Sequence, residues 1–202
     1  MTASPMPSVF YEYTKFLCQS FFPSLNEDER DRLWPSSKLF CPGKLENEEL
    51  VGILMTLADE TDSQFSQPSY MDQTIGQLGL SDERIDRVRD VHIEVISVMF
   101  REMNWSRIVA LLAFLRMLAV YLLKLDRPSD VSPLIESTAA YCDERLRFWI
   151  QVHGGWNGLA DFFCQTSQQS WNSQPVTECS FGFTPAFRRS FGSFAIEAAM
   201  EH

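Results

Sequence analysis

Three histidines, five cysteines and one run of carboxylates are where this chain of 202 residues would hold a catalytic centre or a metal. His92, His153 and His202 fall in a helical stretch, at a glycine corner and at the last position. Cys18, Cys41, Cys142, Cys164 and Cys179 are odd in number and widely spaced, with no C-x-x-C. That pattern fits reduced thiols of the cytosol better than a disulfide framework or a zinc site. The chain carries no H-E-x-x-H, no G-x-S-x-G and no phosphate-cradling glycine loop. Glu46, Glu48 and Glu49 read as a solvated helix start, where negative charge is favourable. The expectation is no catalytic residue, no metal and no cofactor. One charge stands out instead. Arg107 falls in the first turn of the longest apolar stretch, where a cation opposes the helix dipole at a cost of ~0.3–1 kcal/mol. Either water screens it, or a carboxylate comes to meet it.

The element that positions Arg107 is NWSRIVALLAFLRMLAVYLLK, Asn104 to Lys124. Asn104 is a good N-cap, since its side-chain oxygen can accept from free N–H groups of the first turn. Between Ile108 and Leu125 only Arg116 and Lys124 interrupt an apolar run that covers every face of a helix, as in the centre of a bundle or in a membrane. The run is near the lower limit of the ~17–25 residues needed to span a bilayer, and an arginine near its middle would be costly in lipid. The reading is a buried central helix.

With 45% hydrophobic residues the chain can build one domain with a substantial core. A formal net charge of -10 argues against nucleic acid and anionic lipid as partners of the whole surface. MTASPMPSVFYEY lacks a charged segment followed by an apolar core and does not read as a secretory signal.

Ser8 is a candidate cap for a first helix with Phe10, Tyr13, Leu17 and Phe21 on one face. Pro23 ends it, and residues 23–44 read as a long charged loop with a short turn at NEDERDRLW. ELVGILMTLADETDSQF places Leu50, Leu54 and Leu57 at helical spacing, followed by Ala58 and Asp59. Polar QPSYMDQTIGQLG, with Pro68, Gly76 and Gly79, reads as a connection. A helix from Ser81 to about Glu102 carries Ile85, Val88, Val95, Met99 and Phe100 as its buried stripe. After the central helix and a tight turn at 126–130, a further helix runs from about 131 to Val152. His153-Gly154-Gly155-Trp156 closes it, because paired glycines permit a left-handed cap and a sharp corner. WNGLADFF is a last short helix of the bundle. No period-2 alternation appears, so the fold is all-α: seven to eight helices around a central hydrophobic one. The bundle is assigned to 1–164. Residues 165–202 are read as a polar linker and an amphipathic segment with Phe187, Phe191, Phe194, Ala195 and Ala198 on one face.

Three stretches carry a resemblance. NWSRIVALLAF resembles the first homology motif of the B-cell-lymphoma-two (Bcl) family of apoptosis regulators, where Asn-Trp-Gly-Arg opens the central helix. WIQVHGGWNGLADFF, with Trp149, Gly154, Gly155 and Trp156, resembles the second motif. LVGILMTLADETDSQ, with Leu50, Leu54, Leu57, Ala58 and Asp59, resembles the third. They stand in the family's order across roughly residues 50 to 163, and the first helix faintly resembles a fourth. The resemblance implies a surface groove walled by the 50–62 helix, the 82–102 helix and the start of the central one. Asn104, Trp105, Ser106, Arg107, Val95, Met99, Phe100 and Leu111 would belong to it. It also implies the occupant, an amphipathic helix of a pro-apoptotic relative, whose aspartate would pair with Arg107. Ser106 departs from the family's glycine. Its hydroxyl either crowds the partner's backbone or points away.

The resemblance places the protein in the cytoplasm, associating with the mitochondrial outer membrane, where peripheral contact through a short amphipathic tail is reversible. It leaves two roles. Leu57 before the small residue, and the absence of Phe-Gly-Gly in the central helix, resemble the Bax type, an effector that oligomerises and permeabilises that membrane. Thr61, where a killing motif presents a large apolar anchor, and the lack of a C-terminal spanning segment favour a pro-survival regulator. The survival role is the reading adopted.

Overall fold

Ser8 and Asn104 each begin a helix for the reason their side chains suggest. The Ser8 hydroxyl accepts from the Tyr11 N–H at 3.0 Å, and Asn104 Oδ1 accepts from the Arg107 N–H at 2.9 Å. The computed structural model describes residues 7–22, 48–65, 68–80 and 82–171. Within them every regular element is helical. In chain order these are α1 (Val9–Ser20), α2 (Glu48–Phe65), α3 (Pro68–Gln77), a 3₁₀ segment (Asp82–Arg87), α4 (Val88–Met99) and α5 (Trp105–Lys124). A short 3₁₀ turn (Pro128–Asp130) leads to α6 (Val131–Tyr141), a π-helical turn (Cys142–Leu146), α7 (Arg147–Val152) and α8 (Asn157–Trp171).

The central helix is α5. Every residue from Ile108 to Ala119 is buried, and α2, α4 and α6 pack against it. It is the described helix long and apolar enough to cross a membrane, yet 72% of that window lies inside the protein. Arg116, in its middle, is 2% exposed. Its guanidinium donates to the carbonyl of Phe21, in the last residues of the first helical segment. It also lies 5.8 Å and 5.6 Å from the ring centres of Phe21 and Phe22. The arginine therefore ties the end of α1 to the core helix. Arg116→Met, which keeps the bulk and removes the donor, is expected to cost ~1–3 kcal/mol for the buried carbonyl left without it. Chemical denaturation at neutral pH measures that loss.

Four details differ from the sequence reading. The stretch taken as a polar connection contains α3, because Met71, Thr74, Ile75 and Leu78 recur at helical spacing and are buried. Pro68 opens α3, where its missing N–H costs nothing. Gly79 (φ 65°) ends it, with the Leu80 N–H returning to the Ile75 carbonyl at 3.1 Å. The helix expected from Ser81 starts as 3₁₀, and its α-helical part stops at Met99. The helix expected over 131–152 contains one π turn. The last helix runs to Trp171, into the stretch read as the start of the polar linker. The 23–44 loop, the side chain of Thr61, Cys41, Cys179 and the Phe187–Ala198 segment lie outside the described residues.

α1 lies across α6 and the π turn. Ser8 donates to Asp143 at 2.7 Å and accepts from Arg147 at 2.9 Å, while Arg147 pairs with Asp143 and covers the Phe10 ring. Lys15 meets Glu136 at 2.9 Å. Beneath this polar seam, burial pushes the Cys18 thiol up to about 12 and raises Cys142 as well, so both stay protonated and unreactive.

Candidate functional site: the opening of the central helix

Phe100 caps the end of α4, and four residues later Asn104 caps the start of α5, so Arg107 sits at the junction of the two. Its side chain is 18% exposed. Nη1 donates to the Glu102 carbonyl at 2.7 Å, and Nη2 donates to Glu102 Oε2 at 3.1 Å. The awkward first-turn cation is thus met by a carboxylate, and that carboxylate belongs to this chain. Asn104 and Ser106 are exposed on the same turn, so the serine faces solvent and not the core. Trp105 turns inward and meets the edge of Trp149 with ring centres 5.1 Å apart.

That contact joins the first motif to the second. Trp149 stacks on His153 at 4.0 Å. Gly154 (φ 91°) and Gly155 (φ 67°) then take the left-handed conformations expected of the corner, and the Gly155 N–H closes on the Ile150 carbonyl at 2.9 Å. Trp156 is buried, stacks on Phe10 at 6.1 Å and donates to the Thr14 hydroxyl at 3.2 Å. A residue the sequence reading passed over is Gly158. A Cβ there would overlap the His153 carbonyl oxygen and lie 2.9 Å from Cζ2 of Trp105. The spacing G-G-x-x-G was visible in the sequence, but the close approach behind it was not.

The third motif lies on α2. Leu50, Leu54, Leu57 and Ala58 are buried, while Asp59 is exposed. Of the other residues assigned to a groove, Val95, Met99 and Leu111 are at most 2% exposed and Phe100 is 7% exposed. They are core residues in this conformation. Arg107, by contrast, is partly exposed. Among the described residues no group of three or more His, Cys, Asp or Glu could hold a metal ion.

Residues 54–156 match the model of the Bcl-2 family of apoptosis regulator proteins. The chain belongs to that family. The Bcl-2 family model spans all three motifs' central parts and the junction that bears Arg107. Rat apoptosis regulator BAX is 31% identical over 124 residues, covering 60% of this chain and 60% of BAX. Chicken anti-apoptotic protein NR13 is 36% identical over 67 residues, covering 33% of this chain and 38% of NR13. The chain thus spans about three-fifths of the first of these relatives. Among solved structures, schistosome BCL-2 bound to ABT-737 superposes with a TM-score of 0.56 at 26% identity, covering 77% of this chain and 98% of that one. Trichoplax adhaerens trBcl-2L2 bound to trBak BH3 gives 0.57 at 20% identity, covering 76% and 99%. These Bcl-2 family folds agree with the all-helical bundle around α5. An apoptosis regulator, BAX, and an anti-apoptotic protein, NR13, both resemble this chain.

Proposed function

We propose that this Bcl-2 family member is a receptor for the amphipathic death-motif helices of pro-apoptotic relatives, held between α2, α4 and the start of α5. The observation that carries the reading is Arg107, a partly exposed guanidinium fixed in the first turn of the largely apolar central helix. Apolar anchors of the incoming helix supply area at about 1.5–3 kcal/mol each, and ordering that helix costs ~2–5 kcal/mol. The pairing of its aspartate with Arg107 sets register and partner choice more than total affinity.

Within this reading the chain acts on the survival side, sequestering killers at the mitochondrial surface through reversible, peripheral contact. Arg116 supports it. Drawing α5 into a bilayer would strip its guanidinium from the Phe21 carbonyl and both phenylalanine rings, then place it in hydrocarbon at a cost of ~2.5–3.5 kcal/mol or more. The likeness to BAX over 124 residues supports the second reading, an effector that oligomerises and permeabilises the outer membrane.

Two measurements test these statements. Arg107→Glu is expected to weaken death-motif peptide binding roughly 30-fold or more, the scale of reversing one partner of a charge pair, with helicity unchanged by circular dichroism. Unchanged affinity removes the receptor reading. Isolated mitochondria given an activator peptide then separate the roles: suppressed cytochrome release marks the survival regulator, and added release marks the effector.

A further inference from the structure

We infer that Glu102 is a built-in competitor for Arg107, so that the acid of an incoming helix contends with a carboxylate already on the guanidinium. This inference rests on the receptor reading above and specifies what regulates that site. The geometry divides the Glu102 contact into two parts. The backbone carbonyl accepts from Nη1 at 2.7 Å and holds the guanidinium over the α4–α5 junction. The side-chain carboxylate accepts from Nη2 at 3.1 Å. Exposure separates the partners: the Arg107 side chain is 18% exposed and that of Glu102 is 81% exposed.

The arginine is therefore held in place by the fold, whereas the glutamate reaches it from water and can leave without disturbing packing. An incoming aspartate that takes the Nη2 donor meets Glu102 there. Two carboxylates drawn to one guanidinium repel each other, so the incoming acid is held better once Glu102 swings back into water. The backbone bond survives that movement and keeps the guanidinium aimed. Ligands without an acid at that position do not disturb Glu102 and incur no such cost. The device therefore subtracts affinity from acid-bearing helices in particular, and favours those whose carboxylate makes the better-aligned pair.

The test uses the full chain and two synthetic amphipathic death-motif peptides, identical except for aspartate or asparagine at the motif position, titrated by calorimetry. Glu102→Gln is expected to tighten the aspartate peptide about two- to fivefold, the scale of an exposed ion pair, and to leave the asparagine peptide unchanged. Asp90→Asn on α4, which removes one exposed charge away from Arg107, serves as the charge-matched control and is expected to change neither. Equal tightening of both peptides, no tightening of the aspartate peptide, or the same gain from Asp90→Asn overturns the competitor. If Arg107→Glu abolishes binding while Glu102→Gln does nothing, the receptor stands and the competitor falls. If neither peptide binds any form of the protein, both fall.

Discussion

Gly158→Ala is expected to cost at least ~4 kcal/mol, the class of change that single substitutions rarely reach. The added methyl group would overlap the carbonyl oxygen of His153, which is backbone, so no side-chain rotation relieves it. Ordinary overpacking costs ~1–3 kcal/mol because neighbours can shift. Here the neighbour is the corner itself. The N–H of Gly158 bonds to the carbonyls of Gly154 (3.3 Å) and Gly155 (3.1 Å), both of which take left-handed conformations. Trp105 blocks retreat on the other side, and it begins the helix that carries Arg107. Thermal and urea denaturation should show the loss, and Arg107-dependent peptide binding should fall with it. Gly52→Ala in α2, where nothing lies within 4 Å of the new atom, is the control. It is expected to be neutral or to gain ~0.5–1 kcal/mol from helix propensity. Similar stabilities for the two variants would show that the corner can relax.

Acid is expected to unfold the protein through His92. The imidazole lies inside the bundle between α4, α5 and α6, stacked on Phe114 at 5.7 Å. Thr138 donates its hydroxyl proton to the Leu134 carbonyl at 2.9 Å, so towards Nε2 of His92, at 3.4 Å, its oxygen acts as acceptor. That places the ring proton on Nε2 and leaves Nδ1 without a partner. Desolvation lowers the pKa from 6.5 to about 3. Above pH 6.5 the ring is neutral in both folded and unfolded chains, and its contribution is constant. As pH falls below 6.5 only the unfolded chain takes the proton. Stability then drops by ~1.4 kcal/mol per pH unit until the folded ring titrates near 3. The accumulated loss is on the order of 5 kcal/mol, comparable with the whole stability of many domains. The difference between wild type and His92→Leu isolates this from the carboxylates. The variant's stability curve should be flatter by one proton's slope between pH 6 and about 4, whatever its stability at neutral pH. Parallel curves would mean that the ring is hydrated.

The sequence made legible what depends on neighbours within a few turns. Ser8 and Asn104 are caps because of the bonds each makes three residues on. The paired glycines turn the corner after Val152, and the apolar circumference of α5 places it at the centre. α3 was hidden because it buries so few residues, and because Pro68 and Gly76 resemble punctuation. The missed contacts span long sequence separations. Arg116 reaches Phe21, Trp156 reaches Thr14, and Ser8 reaches Asp143 and Arg147. Spacing along the chain carries no trace of such pairs. The site was legible in part. Arg107 and its cap were readable; screening by water and a carboxylate partner were both left open, and Glu102 was not foreseen. Val95, Met99 and Leu111 were correctly read as apolar positions of their helices. Their burial was expected too, Val95 and Met99 as part of a buried stripe and Leu111 on a buried central helix.

The π turn at Cys142–Leu146 makes one stretch of this chain unusually forgiving of length. A widened turn takes up one residue more than an α-helical turn while its flanks stay in phase. Shortening the chain by one residue elsewhere in α6 or α7 would swing everything downstream by ~100° and carry Ile150 out of the interior. Shortening it within the wide turn would restore regular winding, with Leu134 and Ile150 still facing inward. This segment thus tolerates a change in residue number that its flanks cannot.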